Sequence, residues 1–277
     1  MTRTLISAIV AIAATAVVYA GQQAAPAVHA PESIWDSGNR NVMVLVPVSG
    51  TWNADYEKGD GRVVQRVTID GTEPKGFEKN DSRIVQVLTI DGTAGPKAPD
   101  ADAARTLFAD QSAGFVKALA APGAFPLAVA RDVREFTVGG LEVKFKLVSG
   151  ATDQTAGIVV GLQPNGSYTY ARYNTKDGNV AVWKFENGER TVLQHGEVHQ
   201  QLPLNEWHTL QVTVMADYTR TGAVVSASVK GTTLAVRHTL PAPVHGRVGV
   251  WTKTDSVTAF KDFALVGHHG GHRFVGR

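Results

Sequence analysis

The chain has 277 residues, of which 43% are hydrophobic, and this is enough to bury one substantial core with or without a smaller N-terminal unit. A formal net charge of +2, with no basic block carrying interleaved aromatic residues, argues against a nucleic-acid partner. The absence of cysteine excludes disulfides, thiol nucleophiles and cysteine-ligated metals.

Residues 1–20 have the pattern of a secretory signal peptide. Arg3 precedes an uninterrupted run of apolar and small residues from Leu5 to Ala20, and the run ends in a small-residue cleavage site. A transmembrane anchor is the alternative, but the run falls short of the roughly 20 apolar residues that span a bilayer. We therefore expect cleavage before Gly21 and export to the periplasm or the extracellular space, with no membrane span left after signal removal. Residues 21–33, made largely of Gln, Ala and Pro, are predicted to form a flexible leader.

Residues 34–98 predict a smaller β-rich N-terminal segment. Residues 42–48 have the composition of a strand, and Pro47 confines that strand to an edge or an end of a sheet. An eleven-residue string at 62–72 recurs at 83–93 with eight identical positions. Two copies are too few for a solenoid, so we interpret them as two similar strands that each end in an Asp-Gly turn.

Residues 99–121 predict one helix. Asp100 or Asp102 can cap its first turn, and Pro122 followed by Gly123 ends it. We expect its apolar face to lie against the neighbouring sandwich or to bridge to it. That face consists of Leu107, Phe108, Phe115 and Leu119.

Residues 122–266 predict an all-β sandwich. Residues 141–147 alternate apolar and charged side chains, which is typical of a half-buried strand. Asn-Gly or Asp-Gly turns at 164–166, 176–178 and 186–188 favour tight hairpins. Many short strands at regular spacing indicate a sandwich or jelly roll. Further strands are predicted at 125–130, 157–162, 167–173, 180–185, 209–215, 224–229, 233–239 and 247–252.

Six short phrases in this region carry a resemblance to a known family, at residues 140–150, 153–157, 168–174, 179–185, 206–210 and 246–263. The chain from about 123 to 266 resembles the secreted bacterial laminin G-like or family 16 glycoside hydrolase-like domain of the concanavalin A-like lectin and glucanase superfamily. It is most similar to the 3-keto-disaccharide hydrolase-like branch. The resemblance implies a jelly roll of two antiparallel sheets, commonly with a sugar-facing concave side, and it fixes no activity because one fold hosts many functions.

No catalytic residue is predicted. The glucanases of this superfamily resemble one another in two glutamates that flank an aspartate at alternate positions of one strand, and no Glu-x-Asp-x-Glu occurs here. The nearest acidic pair, Glu186 and Glu189, brackets a hairpin tip, where both carboxylates are expected to be solvated. A Gly-x-Ser-x-Gly nucleophile turn is also absent. A carboxylate pair assembled across strands stays open as the alternative.

Strand alternation predicts a carbohydrate-binding face. Aromatic faces stack on sugar C–H surfaces, while amide and guanidinium groups bond sugar hydroxyls. Trp183 and Trp207 are assigned to the core, whereas Trp251 alternates with charged residues, so core and surface are equally favoured for it. The predicted glycan-binding residues are Tyr168, Tyr170, Arg172, Asn174, Lys184, Trp251, Lys253 and Asp255.

Metal binding has weaker cues. The family resemblance suggests a structural calcium ion near the sheet edge with Asp262 as one ligand, but Asp262 is equally suited to cap a turn or to pair with Lys261, and no other cofactor is expected. His195 and His199 are assigned to a solvated loop. The tail at 267–277 carries three histidines, for which we expect only adventitious metal affinity, namely His268, His269 and His272.

The sequence therefore predicts an exported lectin-like sandwich that binds an oligosaccharide or polysaccharide non-covalently. A glycoside hydrolase or lyase acting on a keto-disaccharide or related sugar is the first alternative. A structural envelope protein without a ligand is the second.

Overall fold

The computed structural model describes residues 40–58, 84–94, 98–131, 133–266 and 272–274. The predicted signal peptide, the flexible leader and the first copy of the repeat lie outside these ranges, as do His268 and His269. His272 lies in a short described strand. Neither helix in the described ranges is long and apolar enough to cross a membrane.

The described chain is built mainly from short strands, with two helices between the fourth and fifth strands. The helices are α1 (Ala101–Phe108) and α2 (Ser112–Leu119). The strands are β1 (Arg40–Val42), β2 (Leu45–Ser49), β3 (Trp52–Lys58), β4 (Ile84–Asp91), β5 (Leu127–Ala130), β6 (Val133–Phe136), β7 (Gly139–Ser149), β8 (Thr155–Leu162), β9 (Tyr168–Asn174), β10 (Asn179–Glu186), β11 (Glu189–His195), β12 (His208–Ala216), β13 (Ala223–Val229), β14 (Ala235–Leu240), β15 (Arg247–Trp251), β16 (Val257–Val266) and β17 (His272–Phe274).

Two antiparallel sheets pack face to face. Sheet A has the order β14-β13-β12-β7-β16-β4-β3, and β1 pairs with the end of β16. Sheet B has the order β11-β10-β9-β8-β15-β5-β2, while β6 and β17 pair separately. Neighbours in both sheets are far apart in sequence, as in β7 beside β16 and β5 beside β15. This arrangement confirms the predicted all-β jelly-roll sandwich.

The inter-sheet core follows from strand alternation. On β7 the four apolar side chains at alternate positions are fully buried, and the intervening charged residues lie on the outer face of sheet A. Sheet B supplies inward-facing residues such as Ile158, Tyr173 and Val182. Burying both apolar faces in this way is what holds the two sheets together.

The N-terminal strands extend both sheets. β2 lies at the edge of sheet B, so Pro47, which lacks an amide proton, interrupts no central ladder. The side-chain amide of Gln86 on β4 donates to the Leu45 carbonyl and accepts from the Leu45 amide, both at 3.0 Å. This pair of hydrogen bonds ties β4, next to the edge of sheet A, to the edge strand of sheet B.

The prediction of a single helix at 99–121 is wrong. Asp100 caps α1 by accepting hydrogen bonds from the amides of Asp102 and Ala103, but Ala109, with a φ of 47°, ends that helix and a 3₁₀ turn leads into α2. In a continuous helix Phe108 and Phe115 would be about 10 Å apart along the axis. The break brings their ring centroids to 4.4 Å, so both rings pack into one apolar cluster.

This helical segment lies on the outer face of sheet B and forms a second core there. Leu107, Phe108, Phe115 and Leu119 contact strand residues such as Leu127 in this cluster. The predicted apolar face is therefore confirmed, and its partner is the outer face of the sandwich. The segment covers only part of sheet B, and the uncovered part is open to solvent.

Arg247 fastens the helical segment to the sheet. Its guanidinium is buried and donates to the carbonyls of Val133 (3.0 Å) and Leu107 (2.5 Å), and it stacks on the Phe108 ring at 5.2 Å. Burial lowers the pKa of Arg247 to about 10, with a contribution from nearby Arg134.

The outer face of sheet A is polar. Lys144 pairs with Asp262 at 2.7 Å, while Lys146 and Lys261 lie over the Trp207 ring at 5.0 and 4.2 Å. The assignment of Trp207 to the core is wrong, because this side chain is half-buried under two lysines.

Candidate functional site

A cleft of about 580 Å³ opens on the uncovered part of sheet B. Strands β9, β10 and β15 supply its floor, and β11 with the turns after β9 and β11 supplies its rim. The cleft borders the second core beneath the helical segment. Its lining residues are Tyr170, Arg172, Asn174, Asp177, Asn179, Trp183, Arg190, His195, His199, Trp251 and Lys253.

Two aromatic rings, those of Tyr170 and Trp251, form the floor, and the Trp183 ring stands beside them at the rim. The Tyr170 ring lies 4.3 Å from that of Trp251 and 6.4 Å from that of Trp183, centroid to centroid. Strand β8 lies between β9 and β15, and Gly157 at this position leaves the Trp251 ring room to reach Tyr170. A Cβ at Gly157 would stand 3.1 Å from Trp251 Cε3. Burial raises the pKa of Tyr170 to about 12, so its hydroxyl is protonated at neutral pH.

A chain of five bonded polar side chains forms one wall. Lys253 Nζ contacts both Asp153 oxygens at 3.0 Å, and Asn174 Nδ2 donates to Asp153 (3.1 Å) and to Asp177 (3.2 Å). The chain continues from Asp177 to Arg172 Nη2 at 2.7 Å. Each buried charge in this wall therefore has an opposite charge beside it, as burial requires.

Arg172 is the most constrained member of that wall. Its side chain is buried, and Nη1 donates to the Asn179 carbonyl (3.2 Å) and side-chain oxygen (2.8 Å). Burial lowers the pKa of Arg172, and the charge of Asp177 opposes this effect. The guanidinium thus holds the β9–β10 turn in place, and its Nη1 and Nη2 groups donate to protein acceptors.

The rim carries the more accessible groups. Arg190 lies over the Phe125 ring at 4.3 Å and over the Trp183 ring at 6.0 Å. The His195 ring meets the half-buried Trp183 edge-on at 6.1 Å, and His199 Nδ1 lies 2.9 Å from the Asp177 carbonyl. Both histidines are exposed. The indole Nε1 of Trp183 is buried and has no hydrogen-bond partner among the described residues.

Five of the eight predicted glycan-binding residues meet in this cleft: Tyr170, Arg172, Asn174, Trp251 and Lys253. They do not form an exposed face, because the first four are at most 5% exposed. The helical segment and the surrounding side chains cover the two rings, and protein partners satisfy the two polar groups. Their part in glycan binding stays a prediction.

Two other predicted residues lie away from the cleft lining. Tyr168 is on the same face of β9, but it is buried in the second core, where its ring stacks on Phe185 at 5.0 Å. Burial raises the pKa of Tyr168. Lys184 alternates with Trp183 on β10 and so lies on the other face of sheet B, where it pairs with Glu186 at 2.6 Å.

Asp255, the last predicted residue, organises a loop. Its carboxylate accepts hydrogen bonds from the backbone amides of Thr152 (2.9 Å), Asp153 (3.0 Å) and Ala151 (2.8 Å). These bonds, that of Thr152 foremost, hold the pKa of Asp255 below its usual range. The loop positions Asp153 for its contact with Lys253. Asp255 therefore stabilises the cleft wall without lining the cleft.

Asp255→Asn should lower the free energy of unfolding by about 1 to 2 kcal/mol at neutral pH. The native pKa is depressed, so the stabilisation is present above the unfolded value of about 3.9 and disappears as the pH falls through the native pKa. Urea unfolding at neutral pH and at about pH 3 measures this, and the loss should shrink in acid. Asp55→Asn, at an exposed position on β3, is the control. A loss that is equal at both pH values would contradict the assignment.

Most of the rim residues lie outside the predicted site. The sequence predicts Asp177 only as a turn residue and Trp183 as core, which is wrong for Trp183, and it predicts His195 in a loop, whereas His195 ends strand β11. The sequence does not predict strand β11, because it is an exposed edge strand with little alternation of apolar and polar residues. The Asn187-Gly188 turn was the available signal, since a tight hairpin requires a returning strand.

Asp262 does not fit a calcium site. Its carboxylate pairs with the Lys144 ammonium, and the described ranges contain no group of three or more His, Cys, Asp or Glu side chains that could hold a metal ion. Calcium takes six to eight oxygen ligands, which one lysine-paired carboxylate cannot supply.

Comparison with known proteins gives only distant likenesses. No family model matches the chain, and no curated protein matches it. The solved structures it resembles include the carbohydrate binding module CBM66 from Bacillus subtilis, at 14% identity over 50% of this chain and 79% of that one, with a TM-score of 0.42. A Bacillus licheniformis beta-glucanase is 13% identical over 52% of this chain and 72% of that one, with a TM-score of 0.35. An apo Crh5 transglycosylase is 15% identical over 83% of this chain and 92% of that one, with a TM-score of 0.39. The fold assignment rests on the two sheets themselves.

Proposed function

We propose that this protein binds a carbohydrate non-covalently in the cleft on sheet B. The observation that carries the proposal is the half-buried Trp183 ring, which packs on the Tyr170 ring and stands beside the Arg190 guanidinium and the His195 ring. Sugars present apolar C–H faces and polar edges, and this combination complements both. The cleft volume of about 580 Å³ lies within the range of ligand sites and fits a short oligosaccharide or a chain end.

The groups that reach the ligand are those of the rim. The Trp183 face, the Arg190 guanidinium and the two exposed histidine rings surround the opening. Tyr170 and Trp251 lie beneath them and fix the position of the Trp183 ring. Binding is therefore expected to be weak to moderate, because few ligand groups are fully desolvated.

Hydrolysis is the second candidate, and one observation favours it. Asp153 and Asp177 both bond to Asn174 Nδ2, so their nearest oxygens are at most about 6 Å apart, close to the carboxyl spacing of retaining glycosidases. The resemblance of residues 123–266 to the 3-keto-disaccharide hydrolase-like branch points the same way. Against it, each carboxylate is ion-paired, with Lys253 or with Arg172. A general acid needs a proton that such pairing removes.

A glycan array on the mature protein, with reducing sugar followed over time in every positive well, separates these functions. We expect binding without release of sugar. Release that is lost in Asp177→Asn, while binding persists, would establish the hydrolase instead. Failure to bind any glycan would contradict the proposal and favour a structural role without a ligand.

We also propose that the protein is exported and that the signal peptide is removed. The support is the charged start and apolar run of residues 1–20. N-terminal sequencing of the protein expressed in a bacterium with an intact secretion pathway should find Gly21 first, in the periplasmic or extracellular fraction. Recovery of cytoplasmic protein that begins at Met1 would contradict export.

A further inference from the structure

Positive side chains outnumber negative side chains in and beneath the cleft. Arg172 pairs with Asp177, and Lys253 pairs with Asp153 beneath it, so four charges in the wall cancel. Arg190 is a fifth charge at the rim. Among the described residues, no carboxylate lies within 4.0 Å of its guanidinium. The cleft therefore carries one positive charge that no carboxylate of the described residues neutralises.

Aromatic contacts hold this charge in a defined place. The Arg190 guanidinium lies over the Phe125 ring at 4.3 Å and over Trp183 at 6.0 Å, and the Tyr170 hydroxyl is close enough for Arg190 to influence its ionisation. Arg190 is half-buried, so these contacts remove part of its hydration. A guanidinium stacked in this way keeps the edge donors that do not face Tyr170 available to a ligand.

The acceptors that line the cleft do not neutralise Arg190. The side-chain oxygens of Asp177 and Asn179 both accept from Arg172 instead. The ligand group that complements an unpaired guanidinium is an anionic, planar acceptor.

We propose that the glycan bound in this cleft carries carboxylate groups, as uronic acids do, and that Arg190 binds a carboxylate of the ligand. This inference rests on the proposed carbohydrate-binding function and names the class of sugar. Arg190 adds a charge-assisted pair to the stacking provided by Trp183. Neutral glycans of the same shape lack that pair.

The test compares each acidic oligosaccharide with its own methyl ester. Calorimetric titration uses oligogalacturonate, oligomannuronate and oligoglucuronate, together with neutral gluco- and galacto-oligosaccharides. We expect at least one uronate to bind about tenfold more tightly than its ester, with an affinity that falls at high salt. Arg190→Gln should remove this preference. Arg237→Gln, on the exposed outer face of sheet A, is the matched control and should retain it.

The outcomes distinguish this inference from the proposed function. Equal affinity for the acid and its ester, or binding of neutral glycans alone, would overturn the inference and leave carbohydrate binding in place. An Arg190→Gln variant that weakens the acid and the ester equally would also overturn it, since Arg190 would then act only by packing. Failure of every glycan to bind would overturn both proposals. A thermal melt of each variant checks that the fold is intact.

Discussion

Trp251→Ala should abolish glycan binding and lower the free energy of unfolding by about 4 kcal/mol. Trp251 is 1% exposed and contacts Tyr170 at 4.3 Å and Phe125 at 5.8 Å between ring centroids. Its removal leaves a cavity under the cleft floor that Gly157, which has no side chain, cannot fill. The Tyr170 and Trp183 rings lose their support, so the binding surface is lost together with stability.

Trp207→Ala is the matched control for this variant. Trp207 lies half-buried on the outer face of sheet A, under Lys146 and Lys261, so its removal should cost only about 1 kcal/mol and leave binding intact. Urea unfolding and calorimetric titration measure both quantities. A Trp251→Ala variant that keeps wild-type stability but loses binding would show that Trp251 is an exposed contact residue and would contradict the packing described here.

The strands and hairpins of the sandwich were predictable because their signals are local. Alternation on β7 placed four apolar side chains in the core, and all four are fully buried. The Asn187-Gly188 turn has φ angles of 55° and 83°, which the Asn-Gly pair is suited to adopt. A two-residue period and turn chemistry need no information from distant residues.

What covers each face of a sheet is not a local property, and here the predictions failed. Alternation correctly placed Tyr168 and Tyr170 on the face of β9 opposite Tyr173. It could not show that a helical segment from residues 101–119 would cover that face and bury both rings. Trp183 shows the opposite error. Large aromatic residues in sandwiches are mostly core, but the Trp183 side chain is only half-buried.

The candidate site was predictable where one strand supplies several residues. Arg172 and Asn174 follow Tyr170 at alternate positions of β9, and all three line the cleft. Arg190 and His195 come from β11, and their proximity to β9 depends on the register of β10 with both neighbours. Cross-strand proximity of this kind requires the sheet order, which no local motif contains.

Arg172→Met should lower the free energy of unfolding by about 3 kcal/mol. The substitution leaves the carbonyl and side-chain oxygens of Asn179 without their donor and leaves Asp177 without its counter-charge. The Asp177 side chain is 48% exposed, so water screens part of the lost interaction and the cost stays at the lower end for a broken buried pair. Urea unfolding is the measurement. Arg190→Gln, which breaks no ion pair within the described residues, should cost less than about 1 kcal/mol and serves as the control.

A double-mutant cycle with Asp177→Asn isolates the Arg172–Asp177 interaction from the loss of packing. We expect a coupling energy of about 1 to 2 kcal/mol, because both groups share the network through Asn174. Additive effects would mean that solvent already satisfies Asp177 and that Arg172 stabilises the cleft only through Asn179. In either case Arg172 holds the β9–β10 turn in place through its hydrogen bonds to Asn179.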